Sequence, residues 1–402
     1  MAVLAFASMV YPLCAEPAVF VSLASVGDRI RAQNPDLSAA RLRIQEALGR
    51  ANQAGRLTNP ELETSLEHNP RFREGKLEIG FSQRFPVTDR LQLEKTVSLA
   101  EVKASEAEVR DVERQLTGQA REAVVKILAT RQRRELLREQ SSVASEFAKF
   151  LAEIAAKGES SSLDTGLAKL EAASLALEIR QLDAGETALV GELKPLLGMR
   201  PGELLSVGGT LPKPTIPGTT AEPARRPDFQ AAKLDALAAK QAVALEQARR
   251  YDDVEAGIFT AAERKLDAPN GFGNEAIVGL RFKVALPFWN KNEGAIHEAE
   301  AKQQRREKES IALSRNIHLE AEAARDEMQQ WLQMIAEIND TLLPLADAQA
   351  SLAETIYRNG QGEIQSVLRS REKRLQLAAA RLDALREFHL ARTRHETALG
   401  TP

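Results

Sequence analysis

The chain has 402 residues, with 54 basic and 57 acidic side chains, a formal charge of -3 and only 4% aromatic residues. Cancelling charge and few aromatics exclude an electrostatic nucleic-acid binder. No apolar run after the N-terminus reaches the ~18–20 residues of a spanning helix, whereas a transmembrane β-barrel, whose strands alternate in polarity, remains open.

Residues 1–15 end in Leu13-Cys14-Ala15 after an apolar run, which reads as a secretory signal cleaved after Ala15. Cys14 is the single cysteine, so disulfides, thiolate metal sites and cysteine catalysis are not expected. Tyr11, Pro12 and Leu13 before it make a poor lipidation signal.

From residue 16 the chain reads as two repeats, 16–199 and 228–402. Asn34-Pro35-Asp36 opens an amphipathic helix in the first, and Arg226-Pro227-Asp228 opens one in the second. A β-hairpin follows at about 59–87, where Leu62, Thr64 and Leu66 and then Leu77, Ile79 and Phe81 alternate with polar residues across the loop HNPRFREG. Phe85-Pro86 closes it, and an Ala/Leu/Glu/Arg-rich helix runs to a tip near 158–164. Residues 200–227, rich in Pro and Gly, read as a linker.

The second hairpin, at about 253–288, alternates Val254, Ala256 and Ile258, crosses the polar loop KLDAPNGFGNE, and returns through Leu280, Phe282, Val284 and Leu286. Pro287, Phe288 and Trp289 follow, then a second long helix without a breaker and a second tip near 358–366. Gly158 lies 72 residues after Pro86 and Gly360 lies 73 after Pro287, so each glycine is expected to turn a helical hairpin.

A helix of about 70 residues is roughly 100 Å long and survives only beside other helices. Four strands cannot close a barrel, so copies must combine; two would supply 8 strands and three would supply 12.

Catalytic motifs are lacking. HEAEA at 297–301 and HETAL at 395–399 have Ala301 and Leu399 where a zinc-protease helix needs its second histidine, and none of His68, His297, His318, His389 and His395 are four residues apart. Neither an enzyme, a cofactor nor a resident metal is expected.

The double layout, NPELETSLE (59–67), EIGFSQRFP (78–86), VALPFWNKNEG (284–294) and the tips KGESSSLD (157–164) and YRNGQGEIQSVLRS (357–370) resemble the TolC family of Gram-negative outer-membrane factors. The strand endings and ARTRHETALG (391–400) most resemble its cobalt-zinc-cadmium resistance branch.

The resemblance implies a mainly α fold with a transmembrane β portion: a homotrimer whose 12-stranded barrel sits in outer-membrane lipid and continues as a periplasmic α-helical barrel. It implies an efflux conduit, with heavy-metal cations as cargo, served by a periplasmic adaptor and an inner-membrane RND exporter. Phe85, Phe288 and Trp289 become expected aromatics of the membrane interface.

At the periplasmic tip, Tyr357 stands where the family's lock tyrosine stands. Gly362 replaces the arginine beside it, and Ser366 and Arg369 fall where two inward aspartates ring the entrance. Asp164, with Glu159, is the expected counter-charge to Arg369 at the tip opening. The competing reading is a periplasmic coiled-coil scaffold, soluble or adaptor-like, with small β-modules.

Overall fold

The computed structural model describes residues 18–157, 161–218 and 222–400. The elements in chain order are β1 (Val19–Val21), α1 (Val26–Gln33), α2 (Pro35–Gln53), β2 (Glu61–His68), β3 (Gly75–Phe85), α3 (Arg90–Ala156), α4 (Ser162–Leu196), β4 (Leu205–Val207), α5 (Pro227–Ala248), β5 (Val254–Asp267), β6 (Gly271–Lys283), α6 (Glu293–Glu337), α7 (Leu343–Arg358) and α8 (Ile364–Leu399). The expected signal segment with Cys14, and Gly158 and Glu159, lie outside the described residues.

The chain forms two compact units. One comprises residues up to 38, 112–222 and 317 onward; the other comprises 39–111 and 223–316.

The second unit holds the four-stranded sheet. Its order is β2-β3-β5-β6, every pair antiparallel. Helix α2 packs Ala47 and Ala51 against Val102 of α3, and α5 buries Phe229, Ala231 and Leu245.

Two readings of the second hairpin change. Its loop is only three residues long, because Asp267 pairs with Gly271 and Leu266 with Phe272. Gly271, at φ 93°, adopts the left-handed backbone that so tight a turn requires. The return strand also stops at Lys283 rather than running through Val284 and Leu286. Its partner β5 begins at Val254, and Pro287 has no N–H to extend the ladder.

The first unit is mainly helical, with β1 and β4 as its two short strands. Asn34 is 2% exposed and serves two elements at once: its Oδ1 accepts from the Leu37 N–H at 2.8 Å, capping α2, and its Nδ2 donates to the Leu196 carbonyl at 2.8 Å, ending α4. Gly198, at φ 64°, sits so close to the Gln33 carbonyl that a Cβ would collide with it.

The second long helix is not unbroken. Ile338–Leu342 is a π-turn in which the Leu343 N–H reaches the Ile338 carbonyl. Pro344 follows immediately; lacking a donor and crowding the carbonyl four residues back, it is accommodated by this wider turn.

Residues 200–218 are more than a tether. β4 pairs in parallel with β1, Arg131 donates to the Val207 carbonyl, and His389 Nε2 meets the Pro212 carbonyl at 3.0 Å.

Candidate channel wall and helical tips

The registers sort the sheet's side chains into two faces. Leu62, Phe81, Ile258 and Leu280 form one cross-strand row; Thr64, Ile79, Thr260 and Val278 form the next on the same side. These residues are outward: Leu280 is 70% and Val278 82% exposed. An apolar face this exposed on a sheet is a contact surface for something other than water. From Leu77 to Phe85, with Gln83 its one polar member on β3, it runs eight residue steps, about 27 Å along the strand and about 21 Å tall at a ~40° tilt, close to the ~25 Å apolar band of an outer-membrane barrel.

The opposite face is polar and cross-linked by charge. Arg281 donates to Glu63 at 2.7 Å and also to Glu78, while Lys76 meets Glu78 at 2.7 Å. Arg84 bridges Glu61 at 3.2 Å and Glu255 at 3.5 Å. Phe259 is the aromatic exception on this side. It lies between Gly80 and Gly279 in register, and a Cβ on Gly279 would strike its ring. The Arg281 guanidinium stands 5.2 Å from that ring. The sequence analysis saw the apolar alternation but not this network. Its signal is present in the residues that alternate with the apolar ones, though the pairing partners lie up to 218 positions apart.

Within the chain, β2 and β6 each have one side without a strand partner among the described residues. Such edges are open hydrogen-bonding templates.

Of the aromatics expected at the membrane interface, Phe85 ends β3, while Phe288 and Trp289 follow β6 and stack edge to face at 6.3 Å. Trp289 is 96% exposed, so no packing inside the chain accounts for it.

At the other set of candidates, Gly360 (φ 73°) ends the turn after α7, its N–H reaching the Tyr357 carbonyl at 2.9 Å. Tyr357 meets the Phe147 ring edge-on at 6.2 Å, against a cluster of Phe147, Leu151, Ala168, Ile364 and Val367. Asp164 lies in the first turn of α4, half-buried, and Ser366 and Arg369 are exposed on α8. Among the described residues no ion pair joins Asp164 to Arg369 within the chain.

The charged contact here is one that sequence reasoning missed. Arg371 of α8 donates to Glu354 of α7 at 2.8 Å and lies 4.3 Å over the Phe147 ring of α3. Glu354 also takes Arg358, whose guanidinium covers Phe150 at 5.5 Å. Burial raises the Glu354 carboxyl, but the hydrogen bonds from Arg371 and Arg358 outweigh it and hold the group below its ordinary range. Glu171 of α4 shows the reverse: burial pushes it up against the pull of Arg371.

Among the described residues no helix is long and apolar enough to cross a membrane, and no group of three or more metal-ligating side chains gathers.

Residues 26–187 match the family described as outer membrane efflux protein. The cobalt-zinc-cadmium resistance protein CzcC of Cupriavidus metallidurans is 24% identical over 383 residues, covering 91% of this chain and 87% of that protein. The solved structure of CusC aligns with a TM-score of 0.79 at 17% identity, covering 98% of this chain and 96% of that one. The outer-membrane channel OprN aligns at 0.77 and 17% identity, covering 94% and 90%.

Proposed function

We propose that this chain, a TolC-like outer-membrane factor by sequence and fold, is the outer-membrane channel of a tripartite efflux system. One observation carries the reading: a four-stranded sheet with an exposed apolar face, a charged opposite face and two edges unpaired among the described residues. Lipid accepts the first face, a water-filled lumen the second, and neighbouring copies the edges. A scaffold in the periplasm would leave the apolar face in water.

Three copies supply 12 strands, the number in the family that the sequence resembles, so the assembled form is a homotrimer in the Gram-negative outer membrane with its helices in the periplasm. Phe85, Phe288 and Trp289 belong at the lipid interface, where amphipathic rings settle. The conduit is passive, and the driving force comes from an inner-membrane RND exporter through a periplasmic adaptor at the tips. Heavy-metal cations are the cargo, on the likeness to CzcC. Tyr357, Ser366 and Arg369, with Asp164 opposite, line the tip opening.

Fractionation and planar-bilayer recording test the reading. The expected result is a trimer in the outer-membrane fraction that conducts ions when reconstituted; a soluble monomer without conductance would refute it.

A further inference from the structure

The apolar side of the sheet changes character at one end. Leu66, Leu77, Ala262 and Ala276 form its last apolar row, and the next row on the same side is His68, Gly75, Arg264 and Asn274. That row lies two residues further, about 7 Å along the strand, at the end of the sheet that carries the hairpin loops rather than the helices. A period of two puts the carboxylates of this level on the other face. Glu67, Glu263 and Glu275 share a row there with Lys76, and Lys265 reaches Glu275 at 3.0 Å. The outward row has no acidic member.

The loop after β2 adds to this outward group. Asn69 closes it: its N–H donates to the Glu74 carbonyl at 2.9 Å, its carbonyl accepts from the Phe72 N–H at 2.9 Å, and its Oδ1 accepts from the Arg73 N–H at 3.0 Å. Glu74, the one carboxylate of the loop, is occupied by Asn69 Nδ2 at 3.1 Å and the Leu266 N–H at 3.2 Å. Fastened in this way, the loop holds Phe72 at φ 54°, a backbone uncommon for a bulky residue. Phe72 is 77% exposed, and its ring stacks on His68 at 4.0 Å, which sets it on the outward side. Arg71 and Arg73 flank it, both exposed. Arg264 stands 5.5 Å over the ring of Phe272. Among the described residues no ion pair joins Arg71, Arg73 or Arg264 to a carboxylate.

The geometry points to a binding site for the phosphorylated sugar headgroup of an outer-leaflet glycolipid, built by Arg71, Arg73 and Arg264 with Phe72 and Phe272. His68 and Arg264 stand two strand spacings apart, about 10 Å, and Gly75 between them carries no side chain, so the row is notched there. Guanidinium forks match phosphate oxygens bidentately, and aromatic rings offer flat faces to the apolar side of a sugar. Level and charge select the occupant. Directly beyond side chains that meet acyl chains, a lipid presents its headgroup, and three cations without carboxylates require an anionic one. On the side of a Gram-negative outer membrane away from the periplasmic helices, that headgroup is a phosphorylated sugar. The inference rests on the channel reading above, and adds a lipid ligand at the outer rim of the barrel.

Native mass spectrometry of the purified, delipidated channel titrated with bisphosphorylated lipid A tests it. Dephosphorylated lipid A, phosphatidylglycerol and inorganic phosphate are the comparison probes. Lipid A should bind, and loss of its phosphates should weaken binding by about tenfold or more. Arg71→Ala/Arg73→Ala/Arg264→Ala should weaken it by about as much. Arg264→Ala alone should weaken it too, whereas Lys265→Ala, next in the chain but on the polar face, should bind as the wild type does. Equal losses in those two single variants, or equal binding by the wild type of lipid A with and without phosphates, overturn the site; the second comparison needs no variant to fold. Phosphatidylglycerol or inorganic phosphate binding as tightly as lipid A overturns the glycolipid as its occupant. Planar-bilayer conductance separates this from the channel reading: a conducting trimer that ignores the lipid's phosphates sinks the site alone, and a soluble, non-conducting monomer removes both.

Discussion

His389 and His395 are each 2% exposed on α8, and burial holds both imidazoles below their ordinary pKa of 6.5. Arg325 reinforces this at His395, while Glu396 opposes it. His395 Nδ1 has no hydrogen-bond partner among the described residues, so the ring gains nothing there to offset its desolvation. The unfolded chain protonates these rings near 6.5 while the folded chain resists. Stability is therefore complete above that pH and declines as pH falls below it. Thermal melts between pH 7.5 and 5.5 should show a falling Tm, and His395→Leu should flatten the slope without loss at pH 7.5. A slope unchanged in that variant would place the pH dependence elsewhere.

At the scale of elements, the strand is read by its faces. Ile258 stands midway along the apolar row of β5, and Glu263 on the opposite face of the same strand. If lipid wets one face and water the other, Ile258→Arg should reduce stability in the bilayer by about 2–4 kcal/mol. Glu263→Arg, facing the lumen, should change it far less. Denaturant titration of the reconstituted protein separates the two, and equal losses would argue against a lipid-facing row. The helices follow a different rule. Alternation has no role in them, and α3 persists for 67 residues because small and aliphatic side chains recur along its length and find α2, α4 and α8 to pack on.

At the scale of the whole molecule, symmetry multiplies single charges. In the proposed trimer, one exposed Arg369 per chain becomes three, and with Arg369 at the tip opening they form a positive ring where the resembled family carries aspartates. Its repulsion is strongest at low ionic strength. Arg369→Ala should raise cation over anion permeability, read as a shift in reversal potential across a salt gradient. No shift in either conductance or ion preference would exclude Arg369 from the opening.

The mainly helical fold with its small β portion was legible because both patterns are local. Leu77, Ile79 and Phe81 alternate within five residues, and the composition after Arg90 favours helix over a long uninterrupted stretch. The sequence by itself also determined which sheet face is apolar, since a period of two assigns every strand residue to a side. Tertiary structure alone decided what is non-local. Tyr357 meets Phe147 from 210 positions away, Arg371 ties Glu354 to the Phe147 ring, and Arg281 finds Glu63 and Glu78 across the sheet. It also showed that Leu163, Leu170 and Leu177 of α4 and Leu345 and Leu352 of α7 stay exposed. Spacing along a chain says which side chains share a face, whereas which faces meet depends on how the whole chain buries its apolar surface.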